Sequence, residues 1–103
     1  MKKVIDGKVY NTETATKVAE WSNGLSYSDF NNENEELYVT KKGNWFLYGE
    51  GGANSKYRKS NGNSAWGSSN IIAMSELDAY KWLEKNNELD AIESYFPKEI
   101  EEA

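Results

Sequence analysis

The residues with the most recognisable binding chemistry lie in the glycine-, serine- and asparagine-rich middle of the chain. The run Lys56–Lys59 contains three cations and a tyrosine, and Trp66 follows a few residues later. Cations mixed with aromatic rings in a loop are typical of single-stranded nucleic-acid contacts, and the same types dominate protein-interface hot spots. The acidic sequence on either side favours a protein partner. The partner-binding residues predicted here are Glu50, Lys56, Tyr57, Arg58, Lys59 and Trp66.

A second candidate surface is acidic and lies towards the C terminus. Residues 76–103 carry nine acids and three lysines, whereas residues 37–75 carry five cations against one acid. The simplest interpretation of most of these charges is a hydrated surface that keeps a small protein soluble. A basic centre beside acidic flanks also suits a polar protein interface better than a duplex-binding face. The acidic candidates are Glu84, Glu88, Asp90 and Glu93.

Catalytic, cofactor and metal sites are not predicted, and we do not expect an enzyme. The chain has no histidine or cysteine, which removes the commonest general base, nucleophile and metal ligands. The glycine-rich run 49–56 lacks the G-x-x-x-x-G-K-[ST] spacing of a phosphate-binding loop, so its glycines more simply serve a bulge or tight turn. The carboxylates at 29, 33, 35 and 36 lack the spacing of a calcium loop and indicate a hydrated loop.

Apolar alternation predicts a central β-hairpin over about residues 37–48, joined by Lys41–Asn44. The second strand is apolar on both faces, so we expect it to be covered on both sides. A smaller hairpin is predicted around Asp6-Gly7, where Asp-Gly is a strong turn signal. Asn11 or Thr12 is expected to cap a short helical turn. Residues 17–21 fit either a helix or a strand, and the strands that follow favour a strand.

The remaining polar segments are predicted as loops. Residues 26–36 form one loop, in which Tyr27 and Phe30 are expected to anchor into the core. A longer Gly/Ser/Asn-rich loop is predicted over residues 49–70. Loops of that length are usually functional or mobile, although Tyr57 and Trp66 suggest that parts of this one are fixed to the body.

Two helices are predicted after a short strand at 71–74. Ser75 and Asp78 form a capping-box-like start to a helix at about 76–85, with an apolar face of Leu77, Ala79, Tyr80 and Leu83 and with Trp82 at its border. Asn87 is expected to cap a second helix that buries Leu89, Ile92 and Phe96 and ends before Pro97. Residues 98–103 are expected to form a frayed acidic tail.

Strands followed by helices predict one α+β domain over residues 1–103, with an antiparallel sheet and both C-terminal helices on one face. No apolar run reaches the roughly 18 residues that a membrane span needs. We therefore expect a cytoplasmic protein that makes no membrane contact. Exposed sheet edges leave the oligomeric state open.

Three phrases carry a family resemblance: GKVYNTETA, DF…ELYVTKKGNWFLYGEGGANSKY and IIAMSELDAYKWLE. From Gly7 to about Phe96, the chain resembles small proteins carried by phages, plasmids and conjugative elements of low-GC Gram-positive bacteria. It departs from them at residues 72–74, where a proline commonly follows the isoleucines. Some small proteins of this type resemble type II-A anti-CRISPRs, which inhibit the nuclease Cas9. No functional residue is carried over from the resemblance.

The resemblance implies an anti-defence protein that inhibits by stoichiometric binding to Cas9 or to its guide-RNA complex. Such an inhibitor needs a rigid scaffold and complementary charge rather than a nucleophile, metal or cofactor. Cas9-type effectors hold nucleic acid in positively charged channels, which the acidic C-terminal residues would complement. The alternative is a small nucleic-acid-binding accessory protein of a mobile element that uses the Lys56–Lys59 loop.

Overall fold

A four-stranded antiparallel sheet forms the centre of the protein, in a computed structural model that describes residues 1–103. The strands are β3 (Thr16–Ser22), β4 (Glu33–Val39), β5 (Trp45–Gly51) and β8 (Ser68–Met74). Their spatial order is β3-β4-β5-β8. The predicted α+β class, the central hairpin and a strand over residues 17–21 are confirmed.

The N-terminal hairpin pairs β1 (Lys2–Ile5) with β2 (Lys8–Asn11). Asp6 and Gly7 connect the strands with φ angles of 50° and 75°, the positive values that a two-residue hairpin turn requires. The segment after β2 forms hydrogen-bonded turns, and the Ala15 amide donates to the Asn11 carbonyl at 3.1 Å, the bond of a single helical turn, as predicted. The side chain of Asn11 caps this segment, since its Oδ1 accepts a hydrogen bond from the Glu13 amide at 2.9 Å.

Strand β5 is apolar on both faces, and a different part of the chain covers each face. The N-terminal hairpin packs on one face, where Tyr10 meets Phe46 edge-on with ring centroids 5.5 Å apart. The C-terminal helices pack on the other face. The hairpin-side core contains Tyr10, Tyr38, Phe46 and Ile71. The helix-side core contains Leu37, Trp45, Leu47, Ala79, Trp82, Leu83 and Ile92.

The C-terminal region contains α1 (Glu76–Lys85), α2 (Leu89–Tyr95) and a short 3₁₀ turn (Pro97–Glu99). Both predicted helices are confirmed, and Ser75 caps α1 by accepting a hydrogen bond from the Asp78 amide at 3.0 Å. The 3₁₀ turn lies at the start of the predicted frayed tail, whose residues 100–103 have no regular structure.

The buried helix faces differ from the predicted ones. Helix α1 turns Ala79, Trp82 and Leu83 into the core, whereas Leu77 is exposed. The indole of Trp82 is buried because its N–H finds a buried acceptor in the sheet. In α2, Ile92 is buried and Leu89 is exposed.

Asn87 does not cap α2, contrary to the prediction. Its φ angle is +53°, and its amide donates to the Glu84 carbonyl. Asn87 therefore closes the end of α1, and Glu88 takes the N-cap position of α2 without a side-chain hydrogen bond. Asparagine tolerates this left-handed backbone better than most residues do.

Both predicted loops are shorter than expected. Residues 33–36 belong to β4, residues 49–51 extend β5, and residues 68–70 begin β8. The connection between β5 and β8 also contains a small hairpin of β6 (Lys59–Ser60) and β7 (Ala65–Trp66). Polar residues and glycines can occupy these strand positions because backbone pairing, rather than apolar alternation, holds them there.

Tyr27 and Phe30 do not anchor into the core, contrary to the prediction. They are 83% and 67% exposed. The turn that carries them is held instead by the Asn32 amide group, which donates to the Tyr27 carbonyl at 3.0 Å. No helix is both long and apolar enough to cross a membrane.

Candidate interaction surfaces

A buried carboxylate organises the region around the predicted basic loop. Glu35 in β4 is 3% exposed and accepts three hydrogen bonds from distant parts of the chain. Trp82 Nε1 donates to Oε1 at 3.0 Å. Lys56 Nζ lies 2.7 Å from Oε2, and the Tyr57 hydroxyl also donates to Oε2. These contacts join the sheet, helix α1 and the loop after β5.

The network stabilises Glu35 as an anion. Burial alone raises the pKa of its carboxyl group, but the hydrogen bonds from Lys56, Tyr57 and Trp82 outweigh burial and hold that pKa below the ordinary glutamate value. The pKa of the Tyr57 hydroxyl is shifted in the opposite direction. Burial and the nearby Glu35 carboxylate raise the pKa of the Tyr57 hydroxyl, so Tyr57 remains a donor throughout the physiological range.

Glycines allow the loop over residues 52–58 to lie directly on the sheet. A Cβ at Gly49 would overlap the ring of Tyr57, and one at Gly51 would overlap the side chain of Ser55. The Ser55 hydroxyl donates to the Gly52 carbonyl at 2.8 Å. The glycine-rich segment therefore allows close approach of chain segments, and it also begins the tight turn that the sequence suggested, since the Ser55 amide donates to the Gly52 carbonyl at 3.0 Å.

A basic pocket, named here the cationic pocket, opens beside this loop. Its volume is about 540 Å³. It is lined by cations from the N-terminal hairpin and the loop, by polar groups of β8, and by parts of the Glu35 network. The lining residues are Lys3, Glu35, Leu47, Lys56, Tyr57, Arg58, Lys59, Ser69, Asn70 and Ile72.

The cationic pocket has more positive charge than its own acid neutralises. Its single carboxylate, Glu35, pairs with Lys56. Lys3, Arg58 and Lys59 make no ion pair. Lys3 extends over the edge of β8, and its Nζ donates to Asn70 Oδ1 at 2.8 Å.

A second depression, named here the aromatic groove, shares Ser69 with the cationic pocket and has a volume of about 630 Å³. Tyr27, Phe30 and Trp66 line it and are 83%, 67% and 45% exposed. Asp29 and Glu50 add acidic groups. The remaining lining residues are small or polar: Ser28, Asn32, Gly51, Gly52, Ala53, Ala65, Gly67, Ser68 and Ser69.

Close backbone contacts build the floor of the aromatic groove. A Cβ at Gly52 would lie 2.5 Å from the Phe30 carbonyl oxygen, and one at Gly67 would lie 2.6 Å from the Gly51 carbonyl oxygen. The turn carrying Phe30 and the strand following Trp66 therefore meet at β5 with no side chain between them. This packing fixes the backbones that display the exposed rings.

The predicted acidic residues lie on or between the two helices. Glu84, Asp90 and Glu93 are exposed, and Glu88 is partly buried at the start of α2. Glu84 accepts a hydrogen bond from the Tyr80 hydroxyl at 2.8 Å. None of the four forms an ion pair, so their charges are available to a partner.

The predicted basic loop is divided by the structure. Lys56, Arg58 and Lys59 line the cationic pocket, whereas Trp66 lines the aromatic groove together with Glu50. Tyr57 is only 8% exposed, so it anchors the loop instead of presenting its ring to a partner.

Sequence reasoning missed Lys3, Asn70, Tyr27 and Phe30 as surface-forming residues. Lys3 is far from the basic loop in sequence, Asn70 lies at the end of the predicted loop over residues 49–70, and no local pattern indicated that β8 brings the two together beside Lys56–Lys59. For Tyr27 and Phe30, the acidic and polar residues around them were the available signal of exposure. No group of acidic side chains is arranged to hold a metal ion.

Comparison of the chain with protein-family models, with curated proteins and with solved structures found no match. The family resemblance carried by the sequence phrases therefore stays a prediction.

Proposed function

We propose that this protein acts by stoichiometric binding to another protein and that the aromatic groove provides the central contact. The observation that carries the proposal is the exposure of Tyr27, Phe30 and Trp66 around one glycine-floored groove. Large aromatic side chains contribute much of the energy of protein interfaces. Exposed apolar residues gathered at one site also indicate interaction more strongly than isolated ones do.

The rigidity of the groove supports the same proposal. The glycine contacts beneath Phe30 and Trp66 fix the backbone before a partner arrives, so little chain entropy remains to be lost on binding. Asp29 and Glu50 at the groove give the contact an acidic character. A partner surface with an apolar centre and basic surroundings fits these features.

The target we propose is Cas9 or its guide-RNA complex, which makes the protein an anti-defence inhibitor. The sequence resemblance supplies this target, and the unpaired acids on α1 and α2 are consistent with it. Glu84, Asp90 and Glu93 would face the positively charged surfaces with which such effectors hold nucleic acid. Binding would block the effector without any chemical turnover.

A pull-down and a DNA-cleavage assay with Cas9, each with and without guide RNA, test the target. Tyr27→Ala/Phe30→Ala is expected to weaken binding at least about tenfold, since hot-spot rings are lost without loss of core packing. Val4→Ala/Val9→Ala is the matched control, because these valines are 66% and 60% exposed and lie outside the groove.

The acidic surface is tested separately by Glu84→Lys/Glu93→Lys. This variant is expected to slow association and to weaken inhibition most at low salt, where charge steering is strongest. Glu101→Lys/Glu102→Lys makes the same change in net charge within the C-terminal tail and controls for it. Unchanged inhibition by both groove and helix variants, or absence of any Cas9 binding by the wild type, contradicts the proposal.

A further inference from the structure

We propose that the cationic pocket binds the phosphates of a single-stranded nucleic acid, with the strand continuing over Trp66. This goes beyond the protein-binding function proposed above and does not depend on it. The pocket has the volume of a ligand site, about 540 Å³. The charged and polar side chains that line the pocket indicate the chemical class of the ligand.

The cationic pocket carries uncompensated positive charge. Lys56 neutralises Glu35, and Lys3, Arg58 and Lys59 then remain without any acidic partner. The side chains of Arg58 and Lys59 also make no hydrogen bond within the protein. Three cations without an ion-pair partner around one depression are complementary to an anion with several charges, such as a run of phosphates, which lysine and arginine bind through charge-assisted hydrogen bonds.

The side-chain amide of Asn70 adds an uncharged hydrogen-bond donor. Asn70 Oδ1 accepts from Lys3 Nζ at 2.8 Å and from the Ile71 amide at 2.9 Å. These two bonds orient the side-chain amide so that its oxygen is occupied, and its NH₂ group has no acceptor in the protein. Asn70 lines the same pocket as the cations, and its NH₂ group is unpaired.

The position of Trp66 indicates a strand rather than a free anion. Trp66 is directly opposite Lys59 in the β6–β7 hairpin, and opposed residues of an antiparallel pair project from the same face. Ser69 lines both the cationic pocket and the aromatic groove, so the two depressions adjoin. Cations that follow a backbone, next to a ring on which a base can stack, form the usual single-strand binding arrangement.

Fluorescence anisotropy with labelled single-stranded DNA and RNA of roughly 16 nucleotides tests this inference. We expect binding by the wild type at about 50 mM salt and marked weakening by about 200 mM, as phosphate contacts require. Arg58→Glu/Lys59→Glu is expected to weaken binding at least about tenfold. Trp66→Ala should weaken it roughly tenfold with little change in salt dependence, because stacking carries no charge.

Lys41→Glu/Lys42→Glu is the matched control, since it reverses two exposed lysines in the β4–β5 turn, outside the cationic pocket. Circular dichroism and thermal unfolding should show that all variants fold. The inference is overturned if the wild type does not bind either oligonucleotide at low salt, or if both charge-reversal pairs weaken binding equally. Binding of inorganic pyrophosphate, or of duplex DNA, in preference to the single strands also overturns it.

The protein-target proposal is tested by different residues, Tyr27 and Phe30, and by a different assay. Loss of oligonucleotide binding in the Arg58/Lys59 variant, with its protein binding retained, would separate the two activities. The two proposals can therefore fail independently.

Discussion

The ring of Tyr57 lies directly on the backbone of Gly49, and its hydroxyl donates to the buried Glu35 carboxylate. The aromatic ring fills the space that any side chain at position 49 would occupy. This contact fixes the loop over residues 52–58 to the sheet and so sets one side of the cationic pocket and one side of the aromatic groove.

Gly49→Ala is expected to destabilise the protein by about 1–3 kcal/mol, the usual cost of overpacking a closely packed site. The Tyr57 ring is rigid and cannot move aside without losing its hydrogen bond to Glu35. Urea denaturation of Gly49→Ala, Tyr57→Ala and the double variant measures this as a double-mutant cycle. If Gly49→Ala costs as much in the Tyr57→Ala background as in the wild type, the steric explanation is wrong.

Glu35→Gln is expected to cost about 2–3 kcal/mol at neutral pH, because an amide cannot accept from all three donors and brings donor hydrogens of its own. This cost is below that of breaking a fully buried ion pair, since the Lys56 side chain is 53% exposed. Chemical denaturation measures the difference. Glu13→Gln is a control, because Glu13 is exposed and its carboxylate makes no ion pair.

The stability difference between wild type and Glu35→Gln should depend on pH. The pKa of Glu35 is lower in the folded protein than its ordinary value, so the folded state binds fewer protons at this position. The stabilisation is therefore complete above the ordinary glutamate pKa, and it is lost as pH falls below about 4 and through the folded value. A difference that stays constant from neutral pH to about pH 2.5 would contradict this assignment.

Removal of the groove rings should leave stability almost unchanged. Tyr27→Ala and Phe30→Ala are expected to alter the free energy of unfolding by less than about 0.5 kcal/mol each, as for exposed residues generally. Phe46→Ala, in the hairpin-side core, should cost about 3–5 kcal/mol because its ring is fully buried. Thermal unfolding of the three variants checks this order, and a large loss in Phe30→Ala would show that its ring is part of the core.

Ser75→Ala should destabilise the protein by about 1 kcal/mol by removing the acceptor for the Asp78 amide at the start of α1. Ser75→Asp restores an acceptor and is expected to recover most of the loss. Equal stability of the alanine and aspartate variants, measured by chemical denaturation, would argue against a capping role.

Sequence reasoning predicted the elements in which local pattern and tertiary environment agree. Phe46 and Leu47 sit in a strand that is apolar on both faces, and the pattern correctly indicated a central position. The Asp6-Gly7 turn and the Ser75 cap were predictable for the same reason, because each depends on residues close together in the sequence.

The parts that escaped prediction depend on contacts between distant residues. Glu35 looked like one acid in a polar loop, and its burial is explained only by donors from Lys56, Tyr57 and Trp82. Phe30 has the chemistry of a core residue but lies on a turn whose backbone occupies the space against Gly52. The two surfaces likewise combine segments that no local pattern connects.

The double covering of β5 has a consequence for how the protein is made. Tyr10 from the N-terminal hairpin and Ile92 from the second helix shield opposite sides of the same strand. A ribosome-bound chain whose helices have not yet been synthesised would therefore leave one apolar face of the sheet exposed to solvent, because the segment that covers it follows the strand in the sequence. Folding to the native state must await release of the helices from the exit tunnel. Chains truncated before the helices would be prone to aggregation.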